Sequence, residues 1–214
     1  MIFSEKSILS LRKDIANHLS DSRTRHTFGV QEMALEIGEA CAPDKLDILS
    51  VSALLHDITK EYSVDEHLAI MKKSKKIFTD DDYLSIPVYH SFTAPEVIKS
   101  EYPNFAVNEV LSAVYNHTIG SPDMSITDEI IFISDYIEKG RTHPACSDLR
   151  KVLRDDLSMA RDISESVMHL HKATIKALEN TIIHLSKSGF FIHPTTVITR
   201  NSFLAKTPTM INKI

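Results

Sequence analysis

Apolar residues recur every three or four positions along almost the whole chain, and stretches that alternate with period two are hard to find. That rhythm leaves no convincing sheet and sets the fold class as all-α. Only five glycines (Gly29, Gly38, Gly120, Gly140 and Gly189) interrupt the 214 residues. Segment 4–19 places Ile8, Leu11, Ile15 and Leu19 on one face, and segment 26–41 does so with Val30, Met33, Ala34 and Ile37. Pro43 suits the first turn of a third helix running to about Asp57. Ser63 and Glu66 form a capping box opening a helix to about Lys73, with the polar connection SKKIFTDDD behind it. Further helices are expected from Pro87 to about Ser100, over 106–117, and from Ser125 to near Gly140. From Asp148 to Ser188 the pattern predicts one long helix or two collinear ones, followed by a short helix over 194–205. The tail from Lys206 reads as loose. Residues 1–205 form one expected domain, with a core at about 20–140 and C-terminal helices at about 148–205, and 206–214 are the tail.

Composition excludes several classes. A net charge of −5 and no basic stripe with interleaved aromatics argue against nucleic acid as partner. No apolar run approaches the roughly 20 residues needed to span a bilayer, so no membrane partner is expected. The N-terminal segment carries Glu5, Lys6, Arg12, Lys13 and Asp14 and reads as an amphipathic helix, not a signal peptide. Two distant cysteines, Cys41 and Cys146, match no zinc spacing and fit a reduced, cytoplasmic protein. Glycine-rich phosphate loops, dinucleotide fingerprints and nucleophile elbows are missing. Eleven histidines raise the question of metal.

A single His-Asp dipeptide carries little information, but the place of His56–Asp57 does. His26 opens the second helix and His56–Asp57 closes the third. The outgoing leg of about 16 residues and the returning leg of about 14 nearly cancel, at roughly 24 and 21 Å. If the two pack antiparallel, the three side chains meet at one end of the bundle. Asp135 sits inside the apolar run Ile130–Ile133 and Tyr136–Ile137, where an ionised carboxylate demands a cation or strong donors. A buried arginine is the bland alternative partner for it. His90 and His117 stand near helix ends, where functional groups face clefts. His18, His67, His169, His171, His184 and His193 read as solvated or structural. Arg23, Lys60 and Arg141 are cations placed to ring such a centre and meet phosphate oxygens. Two imidazoles with two carboxylates suit an octahedral iron or manganese ion better than a closed zinc site.

The ordered series His26…His56–Asp57…Asp135 resembles the HD-domain metal-dependent phosphohydrolases. R-x-x-H-T-x-G-V (Arg23 to Val30), LLHD-x-x-K (Leu54 to Lys60), His90, HT-x-G (His117 to Gly120) and IIF-x-x-DYIE-x-GR (Ile130 to Arg141) are similar to the YqeK family. That family comprises bacterial symmetrical diadenosine tetraphosphate hydrolases, and the likeness spans roughly residues 5–203. It implies an HD-domain helical bundle with metal ligands His26, His56, Asp57 and Asp135. It implies iron, as one or two ions, with His90 and His117 serving a second metal or the phosphates. Gly29, Lys60, His90, His117, Thr118 and Arg141 map onto substrate contacts, and Asp57, Lys60 and His117 are the expected catalytic groups. Ser121 stands where the family often carries arginine, a change that bears on nucleotide preference. The expected partner is a small dinucleoside polyphosphate, and a homodimer is compatible with the sequence. Rival readings are an HD-type nucleoside monophosphatase, a cyclic-nucleotide phosphodiesterase, and a nucleotide sensor without turnover.

Overall fold

The computed structural model describes residues 2–207, and eleven α-helices with three short 3₁₀ turns make up its regular structure. Helix α1 spans Glu5–His18 and α2 spans Asp21–Cys41. The hydroxyls of Ser4 and Ser20 cap them by accepting the N–H of Ser7 and Arg23. Because Ser20 starts α2 a full turn earlier than expected, His26 lies in its second turn and not at its start. A 3₁₀ turn at Pro43–Lys45 reverses the chain into α3, Leu46–Leu55.

Helix α3 is buried almost from end to end, which marks it as the central helix. Leu49 and Ala53 face a core built with Val30, Met33 and Ile37 of α2 and Ile130, Ile133 and Ile137 further on. Ile48, Val51, Leu54 and Leu55 face a second core built with Leu11, Ile15, Ile98, Val110 and Val114. His56 and Asp57 follow α3 directly, so the end of the innermost element delivers them into the interior.

Helix α4 covers Val64–Lys73 with the expected Ser63/Glu66 capping box. The connection behind it is not wholly irregular. Thr79 and Asp82 form a capping box on the five-residue α5, Asp80–Leu84, which is too short to show a periodicity. Then come α6 (Tyr89–Glu101), α7 (Asn108–Asn116) and α8 (Ile126–Ile137). Ser125 and Asp128 box the start of α8.

The expectation of one long or two collinear helices over 148–188 is corrected. Helix α9 covers Pro144–Met159 and α10 covers Ile163–Lys187, folded back on each other. His169 Nδ1 lies 3.1 Å from Asp156 Oδ2, although thirteen collinear helical residues would separate them by roughly 20 Å. Asp162 caps α10 through Glu165 N–H, and both helices send leucines into the α2–α8 core. Periodicity runs unbroken across the reversal because both legs turn their apolar faces to that core. Helix α11 covers Pro194–Lys206. The expected loose tail is not loose where it begins: Lys206 Nζ donates to Pro122 O at 2.6 Å and Thr207 is buried. The remainder, 208–214, lies outside the described residues. No described helix is long and apolar enough to cross a membrane.

One pair ties α10 to α8. Glu129, only 1% exposed, accepts from His171 Nδ1 at 2.8 Å. The hydrogen bond to Glu129 raises the His171 pKa against the opposing effect of burial. A pKa raised on folding adds stability that is complete below the unfolded value of about 6.5 and is lost as pH climbs through the folded value. The His171→Leu variant should therefore lose about 2–3 kcal/mol of stability near pH 6, after allowing for the partly exposed imidazole. Its deficit should shrink in alkaline buffer. Chemical denaturation at several pH values reads this directly, and a deficit independent of pH would contradict it.

Candidate metal centre

Five elements bring the ionisable groups together. His26 comes from α2, His56 and Asp57 from the end of α3, His90 from the first turn of α6, His117 from just behind α7, and Asp135 from the last turn of α8. His26 Nε2 lies 3.0 Å from Asp135 Oδ1 and 3.6 Å from Asp57 Oδ2. His56 Nε2 lies 3.4 Å from Asp57 Oδ2 and 3.9 Å from Asp135 Oδ1. The other Asp57 oxygen, Oδ1, is 3.3 Å from His90 Nε2 and 3.7 Å from His117 Nε2. Asp57 thus sits between two half-sites, one oxygen turned to each.

The rings are oriented from behind. His56 Nδ1 donates to Ala53 O at 2.7 Å, and His117 Nδ1 donates to Val114 O at 2.6 Å. Each bond fixes the tautomer with a lone pair on Nε2, aimed inward. His26 and His56 leave Nε2 buried with no hydrogen-bond partner. Two sets of three donors, His26–His56–Asp135 and His56–Asp57–His117, each lie within 4.8 Å of one another. Inward lone pairs facing carboxylate oxygens repel unless a cation lies between them. These residues therefore fit a divalent metal.

Electrostatics point the same way. Burial pushes the Asp57 carboxyl up, but the facing His56, His117 and His90 rings overcome it and hold the group well below the usual range. Burial also opposes ionisation of Asp135, which the adjoining His26 ring and the Arg141 charge reverse to the same result. Burial pushes the His90 ring far down, with Asp57 opposing, and its Nε2 lies 3.1 Å from His117 Nε2. Burial lowers the Lys60 pKa against the pull of Asp57 and Asp135.

The cations ring the centre. Arg23 Nη1 donates to Asp57 Oδ2 at 2.7 Å, and Arg141 Nη2 donates to Asp135 Oδ1 at 3.0 Å. Asp135 therefore meets both the expected cluster and the arginine of the bland alternative. Lys60 Nζ is 3.2 Å from His90 Nδ1. Two residues lie apart. The Thr118 hydroxyl donates to Ser91 Oγ at 2.9 Å, and Gly29 stands beside the side chain of Glu138. Ser121 Oγ accepts from Asp123 N–H within its own turn. The seven remaining histidines, His143 among them, hold no place among these donors.

Sequence reading missed two residues. Glu138 accepts from His26 Nδ1 at 3.2 Å. Arg150 of α9 clamps the loop behind α8, donating from Nε to Ile137 O at 2.6 Å and from Nη2 to Glu138 O at 3.1 Å and Arg141 O at 2.6 Å. Glu138 is the C-cap of α8, where the backbone has already left the helix, so helical spacing from Asp135 gave no signal for it.

Comparison with known proteins agrees with this geometry. The HD domain model matches residues 23–140. A symmetrical bis(5'-nucleosyl)-tetraphosphatase of Halalkalibacterium halodurans is 30% identical over 192 residues, covering 87% of this chain and 91% of that protein. The enzyme of the same name from Bacillus subtilis is 26% identical over 187 residues, covering 87% and 92%. A crystal structure from Clostridium acetobutylicum, described as a predicted HD superfamily hydrolase involved in NAD metabolism, superposes with a TM-score of 0.78. It shares 25% identity and covers 95% of this chain and 98% of its own.

Proposed function

Because this chain belongs to the HD domain family, we propose that it is a metal-dependent phosphohydrolase cleaving diadenosine tetraphosphate symmetrically into two ADP. The observation that carries this reading is the pair of buried, partnerless Nε2 atoms of His26 and His56, facing two carboxylates. His26, His56, Asp57 and Asp135 would hold the metal. His90, His117 and the second Asp57 oxygen would hold another. Iron is the proposed ion, with manganese the alternative. When bound, the metal acidifies water and polarises phosphoryl oxygens.

The chain's own residues do the rest. Asp57 has both oxygens engaged, so its part is to join the half-sites. His117, buried and tied to Val114 O, belongs with the donors and not with the substrate surface. Arg23, Lys60 and Arg141 present positive charge at the more open side, where Asp135 keeps about a fifth of its side chain exposed (19%). They suit the four phosphates and the charge that develops as water adds to a central phosphorus and the bridging P–O bond breaks. ADP is the leaving group and, at neutral pH, departs without taking a proton.

Chromatography of the products tests the bond cleaved. Diadenosine tetraphosphate should give ADP alone. AMP with ATP would contradict symmetrical cleavage. Nucleoside and free phosphate from AMP, at higher efficiency, would favour the monophosphatase reading, and opening of cyclic AMP would favour the phosphodiesterase.

A further inference from the structure

Glycine inside a helix costs about 1 kcal/mol relative to alanine, so an interior glycine asks for a reason. Gly29 lies in the middle of α2, one turn beyond His26. A Cβ added there would come within 2.7 Å of Glu138 Oε2. A Cβ on Gly140 would come within 2.8 Å of Glu138 Oε1 and 3.0 Å of Oε2. The Glu138 carboxylate thus threads a slot between two residues without side chains. It is buried (4% exposed), takes the Gly140 N–H at 2.5 Å on Oε2, and takes His26 Nδ1–H on Oε1. Arg150 fixes the loop that carries it.

We propose that Glu138 is a positioning residue, whose carboxylate, confined by Gly29 and Gly140, locks the His26 ring with Nε2 facing Asp57 and Asp135. The inference rests on the metal-centre reading above. It also gives Gly29 a role other than touching the nucleotide: the glycine leaves room for the group that aims the first imidazole. Carboxylate partners of this kind fix ring orientation and raise ligand basicity, and losing one typically weakens metal binding by ~10–100-fold.

The test titrates metal-free protein with Mn²⁺ and follows the signal of the free ion by electron paramagnetic resonance. Glu138→Ala should weaken Mn²⁺ binding by ~10–100-fold. Glu138→Gln should stay nearer the parent chain, because the amide oxygen still accepts from Nδ1–H. Gly29→Ala is the sharper arm. Its gain in helix propensity, about 1 kcal/mol, offsets part of the hydrogen bonding lost when the Cβ displaces the carboxylate, so heat stability should change little while Mn²⁺ binding weakens like that of Glu138→Ala. A loss of affinity far out of proportion to any loss of stability is foreign to a merely structural role. Should Glu138→Ala fail to fold, Gly29→Ala decides alone. Parent-like Mn²⁺ affinity in Gly29→Ala and in any folded Glu138→Ala overturns the proposal. If His56→Ala loses Mn²⁺ in the same series, the metal centre stands and only the role of Glu138 falls. A parent chain that takes up no Mn²⁺ overturns both.

Discussion

Asp57→Ala should abolish measurable turnover, a fall of at least about 10³-fold, and should leave the purified protein with less metal per chain. The size follows from the position of Asp57. Its Oδ2 faces His26 and His56 and its Oδ1 faces His90 and His117, so one truncation disrupts both half-sites. Water activation and phosphoryl polarisation each supply several kcal/mol, and about 4 kcal/mol is already a thousandfold in rate. Truncation also leaves Arg23 without its 2.7 Å partner and gathers four imidazoles around a gap. Steady-state assay with elemental analysis checks the expectation. A variant that keeps its metal and most of its turnover contradicts it.

Lys60→Met should show the opposite division. Turnover should fall about 10²–10³-fold, the usual effect of deleting one donor that stabilises developing charge. Metal content should stay at the parent level, because Lys60 brings no lone pair while it is charged. Burial already disfavours the ammonium, so an apolar stem of similar length should fold without penalty. Separate kcat and KM values sharpen the test: a group acting on developing charge lowers kcat more than it raises KM. Metal loss in step with turnover would instead make Lys60 part of the scaffold around His90.

Much of the centre was legible in the sequence for a simple reason. Counted from His26 and not from its start, α2 runs out about as far as the 3₁₀ turn and α3 bring the chain back, so His26 and His56–Asp57 had to meet at one end once the turn at Pro43 was recognised. Asp135 was legible as a charge in an apolar run. His90 and His117 were readable only as groups at helix ends, because nothing local says that α6 and α7 deliver them to Asp57. Glu138 escaped notice for the opposite reason to Asp135. A glutamate at a helix terminus before Lys-Gly looks solvated, and only the pairing of two bare α-carbons around it reveals otherwise. The reversal between α9 and α10 was hidden because hydrophobic period records which face is buried, not where the chain turns. Asp162 and Glu165 carried the missing punctuation. Thr118 bonding to Ser91, and not to the cluster, likewise follows from a helix contact invisible in the order of residues.

The most direct test strips the parent protein of metal with a chelator under anaerobic conditions and assays diadenosine tetraphosphate before and after Fe²⁺ or Mn²⁺ is returned. Hydrolysis to ADP should vanish with the metal and come back with it. Undiminished ADP release from fully metal-free protein would contradict a shared cation among His26, His56, Asp57 and Asp135 as the source of catalysis.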